Sequence, residues 1–585
     1  MTAKNLARVV GAGLLLTAAG WVLAGYPGHR LAGTGLILAG LAVTVGPVWA
    51  WTRTTGSAGL IGRWDRQSRR SCGTASRWDI WRTSSGWAMR RKATVLRPSM
   101  QALSWWQRLR VPVRAFATPL ARVGWQTVHT SGEESTLRIG IPGTGKTAEL
   151  ACRVIDAPGG VVVTSTATDL YELTVRLRRA RGPVAVFNPG GLGAVASTLR
   201  WSPLDGCTDP ATAARRAGDL MGPGTPGTEG ARWEAQARRV LAVWLHAAAL
   251  GGRRMSDVQA WIADPDAAKP AILTALRCSP QAAQMRQAAI QSIDMSPRTR
   301  DGIMLAMAPA LAWTTLPSAA VAGDPATTDG GFAVADLTDR RGSLYLLGDD
   351  DGTVGPLVGA LVAEIAYQAR QSAAFRPAGR LDPGLAFVLD EVALVCPTPL
   401  DRWMAELRKR NIVVHAACQG YGQLRERWGK DKASMILNTA AAVLVYGGCK
   451  DAEDLAAFTK LAGDREETTD TRDADGRVTS TTTRIVPVIS PAMLAGLPNF
   501  QALLIRRGMR VALARTPIVW KRRDVRRAQR GIIRVPADLP IPARPLTARL
   551  AALLRRPPVS SRLRLVHTQP TAGPAGEARP ARTAA

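Results

Sequence analysis

The chain opens on two unbroken apolar runs, residues 6–26 and 31–51, parted by Pro27-Gly28-His29-Arg30. Each is about 20 residues long, and at about 1.5 Å per helical residue each matches a hydrocarbon core of roughly 30 Å. The pattern predicts a transmembrane helical hairpin with a connector too short to form an outside domain. Lys4 precedes the first run and Arg8 lies in its first turn, while Arg53, Arg63, Arg66, Arg69 and Arg70 follow the second. Positive flanks at both ends predict a cell-membrane protein with both termini and most of its bulk in the cytoplasm. Trp49 and Trp51 sit where an interfacial aromatic belt would. A cleaved signal peptide is the competing reading, and the second run following at once argues against it.

Further on, short apolar runs alternate with helical patterns. Strands are predicted at 136–139, 161–163, 184–187, 344–347, 385–389, 412–416, 442–446 and 502–506. Strands alternating with helices predict an α/β fold with a parallel sheet covered on both faces. Between 187 and 344 lie roughly 150 residues without a strand, far beyond a usual connection. There Trp233, Ala237, Leu241, Trp244 and Ala248 recur at helical spacing, and similar patterns follow at 255–262, 270–276, 282–293 and 302–312. An all-α insertion is the expectation. Residues 463–483 are polar and read as a surface excursion.

The chemistry-bearing motif is Gly140-Ile141-Pro142-Gly143-Thr144-Gly145-Lys146-Thr147, a complete G-x-x-x-x-G-K-[ST]. Its glycines let the backbone curl until successive N–H groups face a phosphate, and the helix that starts there adds its positive end. Lys146 then reaches the β- and γ-phosphates, and Thr147 offers its hydroxyl to Mg²⁺. Gly140, Pro142, Gly143, Thr144, Gly145, Lys146 and Thr147 are the expected ATP-binding residues. The strand 385–389 ends in Asp390-Glu391. Asp390 is expected to hold the magnesium and Glu391 to polarise the attacking water. Beyond it come Arg408, suited to neutralise transition-state charge in a neighbouring subunit, and Gln419, suited to sense the γ-phosphate. A solvated basic helix end is the plain reading of 408–410.

Composition narrows the classes. A 46% hydrophobic chain of 585 residues supports real cores. Seven scattered cysteines and five histidines exclude a disulfide scaffold and make zinc or His-based catalysis a poor fit. The 76 Lys+Arg against 45 Asp+Glu leave +31, which calls for a polyanion, a membrane surface or both. Residues 52–130 are basic and rich in tryptophan (Trp64, Trp78, Trp81, Trp87, Trp105, Trp106, Trp125). They fit either an anionic headgroup surface or a stem with ordinary core tryptophans. From Lys521 the chain becomes a basic Pro/Ala-rich tail, expected to be disordered.

Several spaced motifs carry a family resemblance over roughly 85–515. They are Leu96-Arg97-Pro98-Ser99, the P-loop, the 161–166 strand with Asp169-Leu170, and Val186-Phe187-Asn188-Pro189. The series continues through Trp201–Cys207, Trp233–Ala237, Leu344-Tyr345-Leu346, Leu389-Asp390-Glu391-Val392-Ala393, Gln419, Gln423-Leu424 and Trp428-Gly429. The chain resembles conjugative type IV coupling proteins of the TraG/TraD class, in their actinobacterial form. That resemblance implies a RecA-like P-loop NTPase with an inserted all-α domain, a membrane-anchored homo-hexamer, and ATP-driven transfer of single-stranded DNA. It implies a relaxase or other secretion substrate and type IV secretion channel components as partners. It also places Arg408 at the family's arginine finger.

The expected division is a hairpin (1–52), a basic Trp-rich stem (53–130), the nucleotide-binding domain in two parts (131–205 and 331–520), the all-α domain (206–330) and the tail (521–585). Three features depart from the family: Ala167-Thr168 where a lysine is usual, Arg410-Asn411 where glycine is usual, and the short extracytoplasmic loop. Rival readings are an FtsK-like double-stranded DNA translocase, a protein-only secretion ATPase, and a membrane adaptor that merely keeps a P-loop.

Overall fold

The computed structural model describes residues 3–26, 28–55, 61, 64, 73–222, 224, 228–325, 333–348, 351–472 and 478–533. The tail beyond 533 and most of 56–72, with Arg63, Arg66, Arg69 and Arg70, lie outside them, as do the side chains of Trp49 and Trp51.

The two apolar runs form helices α1 (Ala3–Ala24) and α2 (Arg30–Thr55). Small residues set their contact. A Cβ at Gly20 would lie 2.7 Å from the Ile37 backbone nitrogen, and one at Gly40 would lie 2.6 Å from that of Thr17. Close backbone approach through glycine is how helices associate where hydrophobic burial gives no drive. Only 11% of each apolar window is buried, so Leu15, Trp21, Leu31 and Leu38 point outward. Both helices are long and apolar enough to cross a membrane.

Eleven strands make one sheet. In chain order its strands are β1 (Ala117–Val123), β2 (Gln126–Ser131), β3 (Thr136–Ile139), β4 (Val161–Ser165), β5 (Val184–Phe187) and β6 (Ser343–Leu347). Then come β7 (Leu385–Leu389), β8 (Ile412–Cys418), β9 (Ala442–Tyr446), β12 (Gln501–Arg506) and β13 (Ala512–Arg515). The remaining pair, β10 (Asp464–Arg472) and β11 (Val478–Pro487), forms a separate antiparallel hairpin where the polar excursion was expected.

The sheet order is β2-β1-β13-β12-β9-β3-β8-β7-β4-β6-β5. From β9 to β5 every pairing is parallel. Here β4, β6, β7, β8 and β9 are buried along their whole length, as apolar runs covered on both faces must be. The expectation of a parallel sheet needs one correction, because β12, β13, β1 and β2 continue it antiparallel. Tight turns link β1 to β2 and β12 to β13, as antiparallel neighbours allow, while β9–β12 and β1–β13 are joined through long stretches of chain. Residues 117–130, read from sequence as the end of the stem, therefore belong to the sheet.

Between β5 and β6 the chain is helical: Pro210–Met221, Thr228–Leu250, Met255–Ala263, Pro265–Ala275, Ala282–Ile293, Pro297–Leu311 and Pro317–Gly323. Ala237, Leu241, Trp244 and Ala248 are fully buried, as their spacing requires. Trp233, one turn earlier, is half-exposed and lies against Gly302.

The Leu96–Ser99 motif is a clamp. Arg97 ion-pairs with Asp382, and the Ser99 N–H donates to Asp382 Oδ2 at 2.7 Å. Asn411 closes the other side, its Nδ2 donating to the carbonyls of Leu96 (2.9 Å) and Leu381 (2.8 Å). Asn411 has φ 60°, the left-handed region where glycine is the default and asparagine the next best residue. The departure from glycine there keeps the backbone shape and adds two hydrogen bonds.

Candidate nucleotide site

The phosphate loop sits where three parallel strands end. Ile139 of β3 registers with Cys418 of β8 and Val445 of β9, and residues 140–145 curl over them into the helix Lys146–Asp156. Gly145 has φ 107°, and a Cβ there would lie 2.5 Å from the Phe500 ring. Phe500 is held against the loop by its own N–H, which donates to the Thr144 carbonyl at 2.9 Å. Any side chain at 145 would thus be strained by backbone and by contact.

Lys146 is buried, its ammonium donating to the carbonyls of Gly140 and Ile141 (the latter at 3.2 Å) and lying 4.0 Å from Glu391. The Thr147 hydroxyl donates to Asp390 Oδ2 at 3.1 Å. Burial, and then the neighbouring Glu391 charge, push the Asp390 carboxyl up to about 6. The charge of Asp169, beyond β4, adds to that push. Glu391 itself has φ 45°, a left-handed turn that a non-glycine residue adopts at a cost of about 1–3 kcal/mol. Such strain persists only where the surroundings fix it, and it turns the side chain back toward Lys146.

The oxygens of Thr147 and Asp390 suit a hard divalent cation that takes few protein ligands and the rest from phosphates and water. Among the described residues no group of three or more His, Cys, Asp or Glu could hold a metal alone.

Gln419 follows Cys418, whose carbonyl accepts from the Gly140 N–H at 3.3 Å, so it flanks the loop's first residue. Its own N–H donates to Gln423 Oε1 at 2.9 Å. Arg408 lies elsewhere. It is exposed on the one-turn helix Leu407–Arg410 that precedes β8, so the length of that strand, about 20 Å, separates it from the loop. There it lines a cleft with Arg82, Lys92, Glu134 and Arg507. The structure therefore gathers residues 140–147, Asp390, Glu391 and Gln419 at one end of the sheet and leaves Arg408 at the other.

Sequence reasoning missed a buried charge cluster behind the loop. Glu149, on the loop helix, accepts from Arg138 Nε at 2.5 Å and Arg153 Nε at 2.7 Å, with all three side chains essentially inaccessible. Burial pushes the Glu149 carboxyl up, but the charges of Arg138 and Arg153 outweigh it and hold the group below its ordinary value. Arg153 Nη1 also donates to the hydroxyls of Thr118 (2.5 Å) and Thr130 (2.6 Å), which ties the loop helix to β1 and β2. Only tertiary structure brings these residues together. Tyr446 and Phe500, which pack on Gly140 and Gly145, were missed for the same reason.

Residues 384–499, the stretch carrying Asp390, Glu391, Arg408 and Gln419, match the family model described as the TraM recognition site of TraD and TraG. Over that stretch the chain is similar to TraD and TraG. No curated protein matches it. Among solved structures it is similar to the bacterial conjugative coupling protein TrwBdeltaN70 in its unbound monoclinic form. The identity is 18% over 74% of this chain and 92% of that one, with a TM-score of 0.50. It is also similar to TrwB in complex with ADP and Mg²⁺, at 17% identity over the same shares and a TM-score of 0.49. At such identity the first likeness is one of fold. It bears out a RecA-like P-loop NTPase fold interrupted by a helical insertion.

Proposed function

We propose that the chain is a membrane-anchored ATPase that couples a relaxase–single-stranded DNA substrate to a conjugative type IV secretion channel and drives its translocation. One observation carries the reading. The phosphate loop, Asp390, Glu391 and Gln419 converge at one end of the sheet, while Arg408 lies at the opposite end of β8. A site short of its arginine, with that arginine out of its own reach, suits a ring in which each subunit serves its neighbour.

In that ring the loop N–H groups and Lys146 hold the phosphates of ATP. Thr147 and Asp390 would hold magnesium, which would supply positive charge to neutralise the phosphates. Glu391 accepts a proton from the attacking water, and Arg408 of the next subunit meets the developing charge, worth roughly 10³–10⁵ in rate. Gln419 reports the γ-phosphate to β8. The domain division set out from the sequence belongs to this proposal, with 117–130 moved to the nucleotide-binding domain. So do the hexamer, the membrane anchor with both termini inside, and the choice of single-stranded DNA.

The test is ATP hydrolysis by the full chain in lipid discs, alone and with single- or double-stranded DNA, beside Lys146→Ala and Glu391→Gln. Stimulation by single strands that both substitutions abolish supports the reading. Preference for duplex points to the FtsK-like alternative, and hydrolysis indifferent to DNA points to a protein-only secretion ATPase. No hydrolysis by a folded oligomer sinks the motor altogether.

A further inference from the structure

Of the seven tryptophans in 52–130, Trp64 packs half-buried against the main core, and the other six are exposed. Trp78 and Trp81 stack at 4.9 Å between ring centroids, and Trp81 and Trp87 at 4.7 Å. The stack is exposed, at 63%, 38% and 45% for Trp78, Trp81 and Trp87. Arg91 caps its Trp87 end, its guanidinium 4.5 Å from that ring. Beside it Arg77 covers Trp125, which is 70% exposed. A second stacked pair, Trp105–Trp106, is also exposed. Its helix is pinned to the helix Gly86–Arg91, because Arg90 Nη1 donates to the carbonyls of Arg108 (3.1 Å) and Val111 (2.8 Å). Within 77–92 five Lys/Arg face one Asp, a net +4.

Large exposed indoles held in a rigid array mark a surface that meets something. Two partners suit indoles interleaved with arginines: nucleobases, which stack on ring faces, and the membrane interface, which takes rings edge-on with their polar N–H among headgroups. In the three-Trp stack the faces are already used. Each ring of the three-Trp stack covers its neighbour, and Arg91 covers one end, so only the outer face of Trp78 is left for a base. What the stack offers is a row of indole edges with cations alongside, on the segment that follows the two apolar helices.

We propose that this Trp–Arg face rests on the anionic headgroup surface of the membrane that holds the hairpin. The inference rests on the membrane-anchor reading above. It assigns the segment a lipid-docking role that fixes how the nucleotide-binding body stands on the bilayer.

The test uses the full chain in discs of zwitterionic lipid, or of zwitterionic plus anionic lipid, each with and without a lipid spin-labelled on its headgroup. The emission of the stack is read as the difference between the native chain and Trp78→Phe/Trp81→Phe/Trp87→Phe. In anionic discs the headgroup label should cut that difference roughly twofold. Arg77→Glu/Arg91→Glu, which keeps the indoles, should restore it. Difference emission unchanged by the label, in discs that demonstrably carry the chain, overturns the proposal while leaving the anchor intact. Quenching by an added single-stranded oligonucleotide instead of the label overturns it in favour of nucleic acid. A chain that does not stay in discs removes the anchor reading and this one together.

Discussion

Glu149→Gln should be far more damaging than its distance from any surface suggests. The residue is the sole carboxylate between two buried guanidiniums, 2.5 and 2.7 Å away, so the cluster carries one more positive charge than negative. Arg138 Nη2 and Arg153 Nη2 already have no hydrogen-bond partner among the described residues. Neutralising Glu149 leaves two buried cations facing each other, and breaking a buried pair in this way costs about 3–5 kcal/mol. For a unit of several hundred residues that lowers the melting temperature by about 5 °C. Arg138→Met removes a cation instead and leaves a balanced Glu149–Arg153 pair, so it should cost no more than about 2 kcal/mol. Thermal melting of the native chain and both variants measures this directly, and nucleotide affinity gives a second readout because Glu149 lies one turn from Lys146. Arg138→Met costing as much as Glu149→Gln would refute the charge-excess argument.

Two other expectations follow from the geometry. Arg408→Ala should lose roughly 100-fold or more of its hydrolysis while keeping nucleotide binding. Mixing it with Lys146→Ala protein should recover part of the activity, because each inactive chain supplies what the other lacks; a mixture as dead as its components would contradict a finger acting between subunits. Asp219, in the helix Pro210–Met221, is pushed up to about 7 by burial, against the pull of Arg216 and Arg215. Its folded value lies above its unfolded one, so its contribution to stability is full below about pH 4 and is lost as pH rises through about 7. Asp219→Asn should therefore raise the melting temperature at pH 8 and gain less at pH 5; a loss at both values would contradict this.

The sequence was most legible where local geometry and chemistry coincide. Gly145 is required by its φ of 107°, and Thr147 and Asp390 meet at 3.1 Å across 243 residues because a phosphate loop and an acidic strand end belong side by side in one sheet. The helical insertion was legible because Ala237, Leu241, Trp244 and Ala248 share one buried face. The β1–β2 hairpin was not. Its strands carry Pro119, Arg122, His129 and three threonines, and a half-polar pattern at a sheet edge gives no clear alternation. The Glu149 cluster was hidden because its partners lie on β1, β2, β3 and the loop helix, and no sequence spacing records that meeting. The stem tryptophans could be read two ways until their exposure was known.

The central claim is a motor that moves a DNA strand by hydrolysing ATP. The most direct measurement follows release of streptavidin from a biotinylated single strand by the full chain in lipid discs. The account predicts ATP-dependent release that Glu391→Gln abolishes and that depends on which strand end carries the biotin. Active hydrolysis with no release from either end would contradict it.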